Sequence, residues 1–271
     1  MIELFQYLFF RNAVLSCVFA GISCGLIGAY IVNRRMVFIS GGISHASFGG
    51  LGIGYFLGMN PIIGAAIFSA ISAIGIEYVS NNSRIKHDST IGIFWSFGMA
   101  VGLIFIYFTP GYAPDLMGYL FGNILTVTIP ELFIMASLTI ILIIIFRIFY
   151  RKILYLSFDS EFLKTQKERV TFYNYFLIVM TALTIVIYIR VVGIILVISL
   201  LTIPQAIASL FTSHYKNLLI FSSLWAVLIS FSGLFFSYYF NIPSGAAIVF
   251  LGSVLYFFLR FIFYCWKRIK K

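Results

Sequence analysis

Residues 129–149 read IPELFIMASLTIILIIIFRIF, and residues 140–146 within them are apolar on every side. A helix of about 20 such residues, at about 1.5 Å per residue, crosses a hydrocarbon core of about 30 Å. A transmembrane barrel strand would instead alternate polar and apolar side chains over about ten residues. Comparable runs recur near 12–32, 37–58, 61–79, 90–109, 171–189, 192–212, 217–236 and 244–264, which makes nine expected spans. Of the 271 residues, 62% are hydrophobic and only 10% charged, against about 25% charged in a soluble domain. So little charge cannot clothe a water-soluble globule, and the expected fold is an all-α polytopic membrane protein.

Residues 110–128, PGYAPDLMGYLFGNILTVT, are interrupted by Pro110 and Pro114 and are short for a crossing. They are expected to form a re-entrant or short outer helix, which is tolerated where protein or a water-filled cavity surrounds it. The first span follows no basic n-region and carries no small-residue cleavage site, so it is expected to stay. The net charge of +10 comes from 18 basic residues against eight acidic ones. With nine spans and the C-terminus inside, sixteen of the basic residues fall on the cytoplasmic side, and only Arg11 and Arg190 fall outside. That asymmetry expects the N-terminus outside and the C-terminus cytoplasmic. The basic excess is therefore read as topology and not as a nucleic-acid site. Cys17, Cys24 and Cys265 form no CxxC pair and read as small buried hydrophobes.

An ionisable side chain within a span is costly and marks a functional position by default. His45, in SGGISHASFGG at 40–50, lies ten residues beyond Arg35, about 15 Å into the membrane. Gly41, His45, Gly49 and Gly52 share one helical face at spacings of four and three. Such a face lets another helix approach closely or leaves room for a ligand. Neutral imidazole suits several transition metals, and Ser40, Ser44 and Ser47 add hydroxyls nearby. A histidine that only bonds a neighbouring helix stays open as the other reading.

Other polar residues read more simply. Asp115 and Glu131 flank the outer end of the 110–128 segment, where a solvated loop acid is the plainer reading. Glu77 and Asp88 stand beside Arg84 and Lys86, where pairing or capping accounts for them, and His87 and His214 fall in connections. Arg190, isolated in IRVVGI, is expected to snorkel. Pro204 in LLTIPQAIAS is expected to kink or break the seventh span, and interrupted spans are frequent at transporter binding sites. In residues 151–170, RKILYLSFDSEFLKTQKERV, Ser157 is expected to cap a short amphipathic helix with Phe158, Phe162 and Leu163 on its apolar face. That helix suits a membrane surface or a partner's groove equally. The chain has no GxxxxGK[ST], no HExxH and no Ser/His/Asp constellation, so active transport would draw its energy from another chain.

Taken together, RRMVFISGGISHASFGGLGIGYFLGMNP at 34–61, DSTIGIFWSFGMAVG at 88–102, APDLMGYLFGN at 113–123, SFDSEFLKTQ at 157–166, RVVGIILVISLLTIPQAIA at 190–208 and NIPSGAAIV at 241–249 resemble the membrane permease of the ATP-binding-cassette importers for manganese, zinc and iron(II). The resemblance implies one transmembrane permease domain over 1–271 in a bacterial plasma membrane. A second copy of the chain, cytoplasmic ATPase subunits and an extracellular metal-binding protein would be its partners. Divalent metal would be cargo, with no cofactor held permanently and no hydrolysis on this chain. It further implies that His45, on the face shared with Gly41 and near Ser44, contacts the metal, and that Phe158, Asp159, Glu161 and Phe162 belong to a coupling helix within the 151–170 loop. Pro204 would lie near the path and Asp115 at its outer entry. Many relatives carry aspartate where this chain has Gly41, which leans the expected cargo toward zinc over manganese. The rivals are a permease for a chelate such as cobalamin or an iron-siderophore, a membrane-embedded enzyme, and a channel or passive structural subunit.

Overall fold

A computed structural model describes residues 5–110 and 122–269, and the described residues are helical throughout with short connections. The helices are α1 (Leu8–Asn33), α2 (Phe38–Phe56), α3 (Pro61–Asn82), α4 (His87–Phe108), α5 (Ile129–Ile148), α6 (Tyr150–Phe158), α7 (Ser160–Thr165), α8 (Val170–Val192), α9 (Ile194–Leu200), α10 (Ile203–Phe211), α11 (Tyr215–Phe240) and α12 (Ser244–Ile269), with a 3-10 turn at Ile124–Thr126. Local chemistry marks several boundaries. Asn60 accepts from the Ile62 N–H ahead of Pro61 at the first position of α3, and Thr128 with Glu131 forms a capping box on α5, both of which satisfy otherwise orphaned amides. Gly193, at φ 82°, separates α8 from α9, a backbone conformation that glycine adopts without strain.

Among the described residues, eight helices are long and apolar enough to span a membrane, with α9 and α10 counted together. The one long helix outside that set is α2, expected as a span. Its 19 residues include six glycines, three serines and His45, which lower its hydropathy. Thirteen of them are buried, so α2 is surrounded by protein, and a helix shielded from lipid has no need of an apolar surface. Asp115 and most of the segment expected as a short outer helix lie outside the described residues.

The chain divides into two compact units. The first comprises Met1–Arg35, Leu120–Tyr150 and Arg190–Lys271. Here α1 lies along α11 with glycines at the points of closest approach: a Cβ on Gly21 would stand 2.7 Å from the Val227 nitrogen. The Ser23 and Thr139 hydroxyls meet at 2.9 Å between α1 and α5, and Asn12 donates to the Val127 carbonyl at 2.9 Å. Cys17 and Cys24 are fully buried, as expected. Arg190 is not isolated, contrary to expectation. Its Nε pairs with Glu131 Oε1 at 2.8 Å, while Glu131 Oε2 accepts from the Thr128 amide and hydroxyl. An acid 59 residues away in sequence supplies the partner that local inspection could not show.

The expected break at Pro204 is present, with Leu201 and Thr202 between α9 and α10. Proline lacks the N–H that would bond Leu200. The neighbouring side chain replaces it: Gln205 Nε2 donates to the Leu200 carbonyl at 3.2 Å and to the Cys24 carbonyl of α1 at 2.9 Å. The broken helix is thus sutured and tied to α1 by one amide. Replacing Gln205 by Leu removes that donor and leaves buried carbonyl groups short of partners. The expected cost is about 1–3 kcal/mol, read as a lower thermal midpoint in detergent; an unchanged midpoint would show the suture to be dispensable.

The second unit comprises Met36–Tyr119 and Arg151–Ile189. Its centre is α2, packed on α3 through Gly50, Gly54, Gly64 and Pro61, and on α4 through Gly52, Gly98 and Gly102. Backbone lies against backbone at these crossings, the arrangement that small residues permit.

Candidate functional site

The small-residue face expected around His45 serves two purposes. Gly49 and Gly52 are buried in helix crossings against Phe68, Gly98 and Gly102. One and two turns earlier, His45 and Gly41 are only half-buried and stand on the side of α2 left open. The crossing itself fixes what faces His45. Gly98 meets Ala46, the next residue along α2, and Trp95 stands one turn before Gly98 on α4. The indole of Trp95 therefore stacks on the imidazole, with ring centroids 4.1 Å apart and planes within 6°. Phe48 is more distant, at 6.4 Å.

The imidazole is poorly satisfied. His45 Nδ1 is enclosed and has no hydrogen-bond partner among the described residues. The serines expected to add oxygen donors are buried and turned back on their own helix: Ser40 donates to Val37, Ser44 to Ser40 and Ser47 to Ser44. Among the described residues, no three His, Cys, Asp or Glu side chains converge as a metal cage. Glu77, expected to pair or cap beside Arg84 and Lys86, is instead buried on α3 and accepts from Asn81 at 2.9 Å. The arrangement at α2 offers one imidazole on an open face, backed by an aromatic wall, which suits weak, single-donor contact with a borderline metal ion.

Sequence reading missed Trp95. The signal was available, since Trp95 is one of only three tryptophans and lies three residues before Gly98 on a span rich in small residues. Knowing that it touches His45 required the register between α2 and α4.

The 151–170 segment forms a helical hairpin of α6 and α7. Asp159, not Ser157, caps α7: its Oδ1 accepts from the Phe162 N–H at 3.0 Å. Ser157 lies in the last turn of α6 and donates to the Ile153 carbonyl. The acid fits better because α7 begins after it, and a carboxylate complements a helix N-terminus. Leu163, expected beside the two phenylalanines, is buried, whereas Phe158 is 60% and Phe162 40% exposed. The Phe162 ring touches Tyr155 at 4.8 Å, and Glu161 pairs with Lys164 in the open. The base of the hairpin is clamped by Lys152, which donates to Glu168 at 2.8 Å and to the Tyr173 hydroxyl at 2.6 Å. These bonds, that to Glu168 first, raise the Lys152 pKa above its ordinary value and keep it cationic. Pro204 belongs to the first unit and His45 to the second.

Comparison with known proteins adds an independent observation. The model of the family described as ABC 3 transport family matches residues 6–263. The manganese transport system membrane protein MntC of Listeria monocytogenes is 38% identical over 260 residues, covering 96% of this chain and 92% of that one. The manganese import system permease protein ScaB of Streptococcus gordonii is 34% identical over 258 residues, covering 95% and 92%. In solved structures, PsaBC from Streptococcus pneumoniae in complex with Fab superposes with a TM-score of 0.84 at 34% identity, covering 96% of this chain and 95% of the other.

The α2–α4 crossing makes a direct prediction. A Cβ on Gly98 would stand 2.5 Å from Ala46 Cα, so Gly98→Val is expected to force the helices apart and abolish monodisperse folded protein, beyond the about 1–3 kcal/mol of ordinary overpacking. Gly92→Ala, whose Cβ would meet nothing within 4 Å, is expected to purify like the parent. Size-exclusion profiles and thermal midpoints in detergent check the pair.

Proposed function

The chain belongs to the ABC 3 transport family, and from that premise we propose that it is the permease subunit of an ATP-driven importer of divalent transition metal ions, with manganese as principal cargo. The names of full-length relatives weigh toward manganese, against the lean toward zinc that Gly41 supports. A transport family also separates the chain from membrane-embedded enzymes. The observation that carries the assignment of the path is His45: an ionisable ligand on a half-open helix face, with no competing cage among the described residues.

A half-open imidazole facing hydrocarbon is unfavourable, and a second copy of the chain is the proposed cover. Two copies would then present one His45 each to an ion moving between them. Metal handed over by an outer binding protein enters from the side of Arg190 and leaves on the side of the basic loops, with the N-terminus outside and the C-terminus cytoplasmic. Asp115 is retained as a candidate at the entry, and Pro204 as the break in its own span. Sparse coordination is an advantage here, because a closed four-ligand site would hold the ion too tightly to turn over.

ATP hydrolysis belongs to cytoplasmic ATPase subunits. Exposed Phe158 and Phe162, with Asp159 shaping the turn and Glu161 on the rim, form an apolar anchor of the kind that fills a partner's groove. The Lys152 clamp makes the hairpin a rigid lever.

The complex of permease, ATPase and binding protein, reconstituted in vesicles, tests both parts. His45→Ala is expected to reduce ATP-dependent uptake of radiolabelled manganese by at least about tenfold, equivalent to about 1.4 kcal/mol, while the ATPase still copurifies; undiminished uptake refutes the site. Alanine at both Phe158 and Phe162 is expected to remove metal-stimulated hydrolysis without removing the permease from the membrane, and normal coupling in that variant would reject the docking role. Unlabelled zinc competing more strongly than unlabelled manganese would reverse the cargo order.

A further inference from the structure

His45 stands among mostly small residues. Of its helical neighbours at one turn, Gly41, Gly42 and Gly49 have no side chains and Phe48 keeps its ring 6.4 Å away, while Ser44 and Ala46 beside it are small and turned into the packing. A ring in that setting is free to rotate about its side-chain torsions unless something stands against its face. Trp95 does: 4.1 Å between centroids and 6° between planes is a stacked contact, closer than most aromatic pairs. The contact is itself fixed by backbone, since Ala46 and Gly98, next to His45 and one turn from Trp95, meet without intervening side chains. Trp95 is not an inert core residue, because it remains 37% exposed on the same open side as His45. Enclosure of Nδ1 leaves Nε2 as the nitrogen available to a ligand.

We propose that Trp95 is a positioning residue for cargo: its indole holds the His45 imidazole in one orientation, with Nδ1 turned inward and Nε2 presented to the ion. The proposal rests on the reading that His45 contacts the metal, and goes beyond it by assigning the device that aims the ligand. A site with a single donor from each chain has no other ligand to correct a misplaced one, so preorganisation of that donor governs capture of the ion.

Uptake in the reconstituted complex is measured for Trp95→Leu, which keeps bulk without a ring, and Trp95→Phe, which keeps a ring to stack, beside His45→Ala. Trp95→Leu is expected to raise the KM for manganese by about tenfold with maximal rate, basal hydrolysis and thermal midpoint close to the parent, and Trp95→Phe to recover most of the loss. A direct reading uses protein in which Trp225 and Trp266 are both replaced by Phe, leaving Trp95 as the sole indole. Cobalt(II) is expected to quench its fluorescence saturably, and the quenching to disappear with His45→Ala. If His45→Ala abolishes uptake while Trp95→Leu keeps the parent KM, the positioning role is wrong and the metal site stands. If Trp95→Leu loses uptake and thermal midpoint together and Trp95→Phe restores neither, Trp95 only packs, and the proposal is overturned. Normal uptake and no quenching with His45→Ala present and absent alike would remove the metal site and the proposal with it.

Discussion

Where α2 crosses α3 and α4, glycine backbones occupy the space that side chains hold elsewhere, and the proposed functional surface of the second unit depends on that closeness. A Cβ at Gly98 would overlap Ala46, and one at Gly50 or Gly52 would overlap α3 or α4. The approach sets helix register to within a fraction of a turn, because backbone against backbone has no flexible atoms to absorb error. Register in turn decides that Trp95 meets His45 and that Gly41 stays open. A helix that would be only marginally stable in lipid becomes the centre of its unit because its neighbours replace the lipid.

The same medium makes each buried polar group a matter of partnership. Burying an unpaired amide or hydroxyl costs about 2–7 kcal/mol in transfer experiments, and the first unit meets this with long-range bonds. Gln205 repairs the carbonyl orphaned by Pro204, Asn12 reaches Val127, and Arg190 finds Glu131. Several hydroxyls, those of Ser69 and Ser222 among them, lack a partner among the described residues, as His45 Nδ1 does. An imidazole differs from these in what it can bind. Its lone pair ligates transition metals, and it stands beside an open face where a hydroxyl at the same depth would only add cost.

At the hairpin of α6 and α7 the balance is reversed, since charge is abundant there. The exposed Glu161–Lys164 pair contributes little, as surface ion pairs do. Lys152 matters more by geometry than by energy, since one ammonium joins the start of α6 to Glu168 and Tyr173 and closes the loop at its base. The two exposed phenylalanines are thereby carried on a closed frame and not on a flexible tether.

Composition and periodicity were enough to read an all-helical membrane protein, the break at Pro204, a helical loop at 151–170 and His45 as an ionisable group out of place. These depend on chain order alone: hydropathy over about 20 residues, a missing N–H, and charge where lipid should be. The partner of Arg190, the true cap of α7, the burial of Leu163 and the stack on Trp95 were not legible there. Each joins residues separated by turns or by whole helices, or depends on which side of a helix its neighbours cover. Residue identity sets what a side chain is able to do. Whether it does so is settled by register and burial, which exist only once the helices have packed against one another.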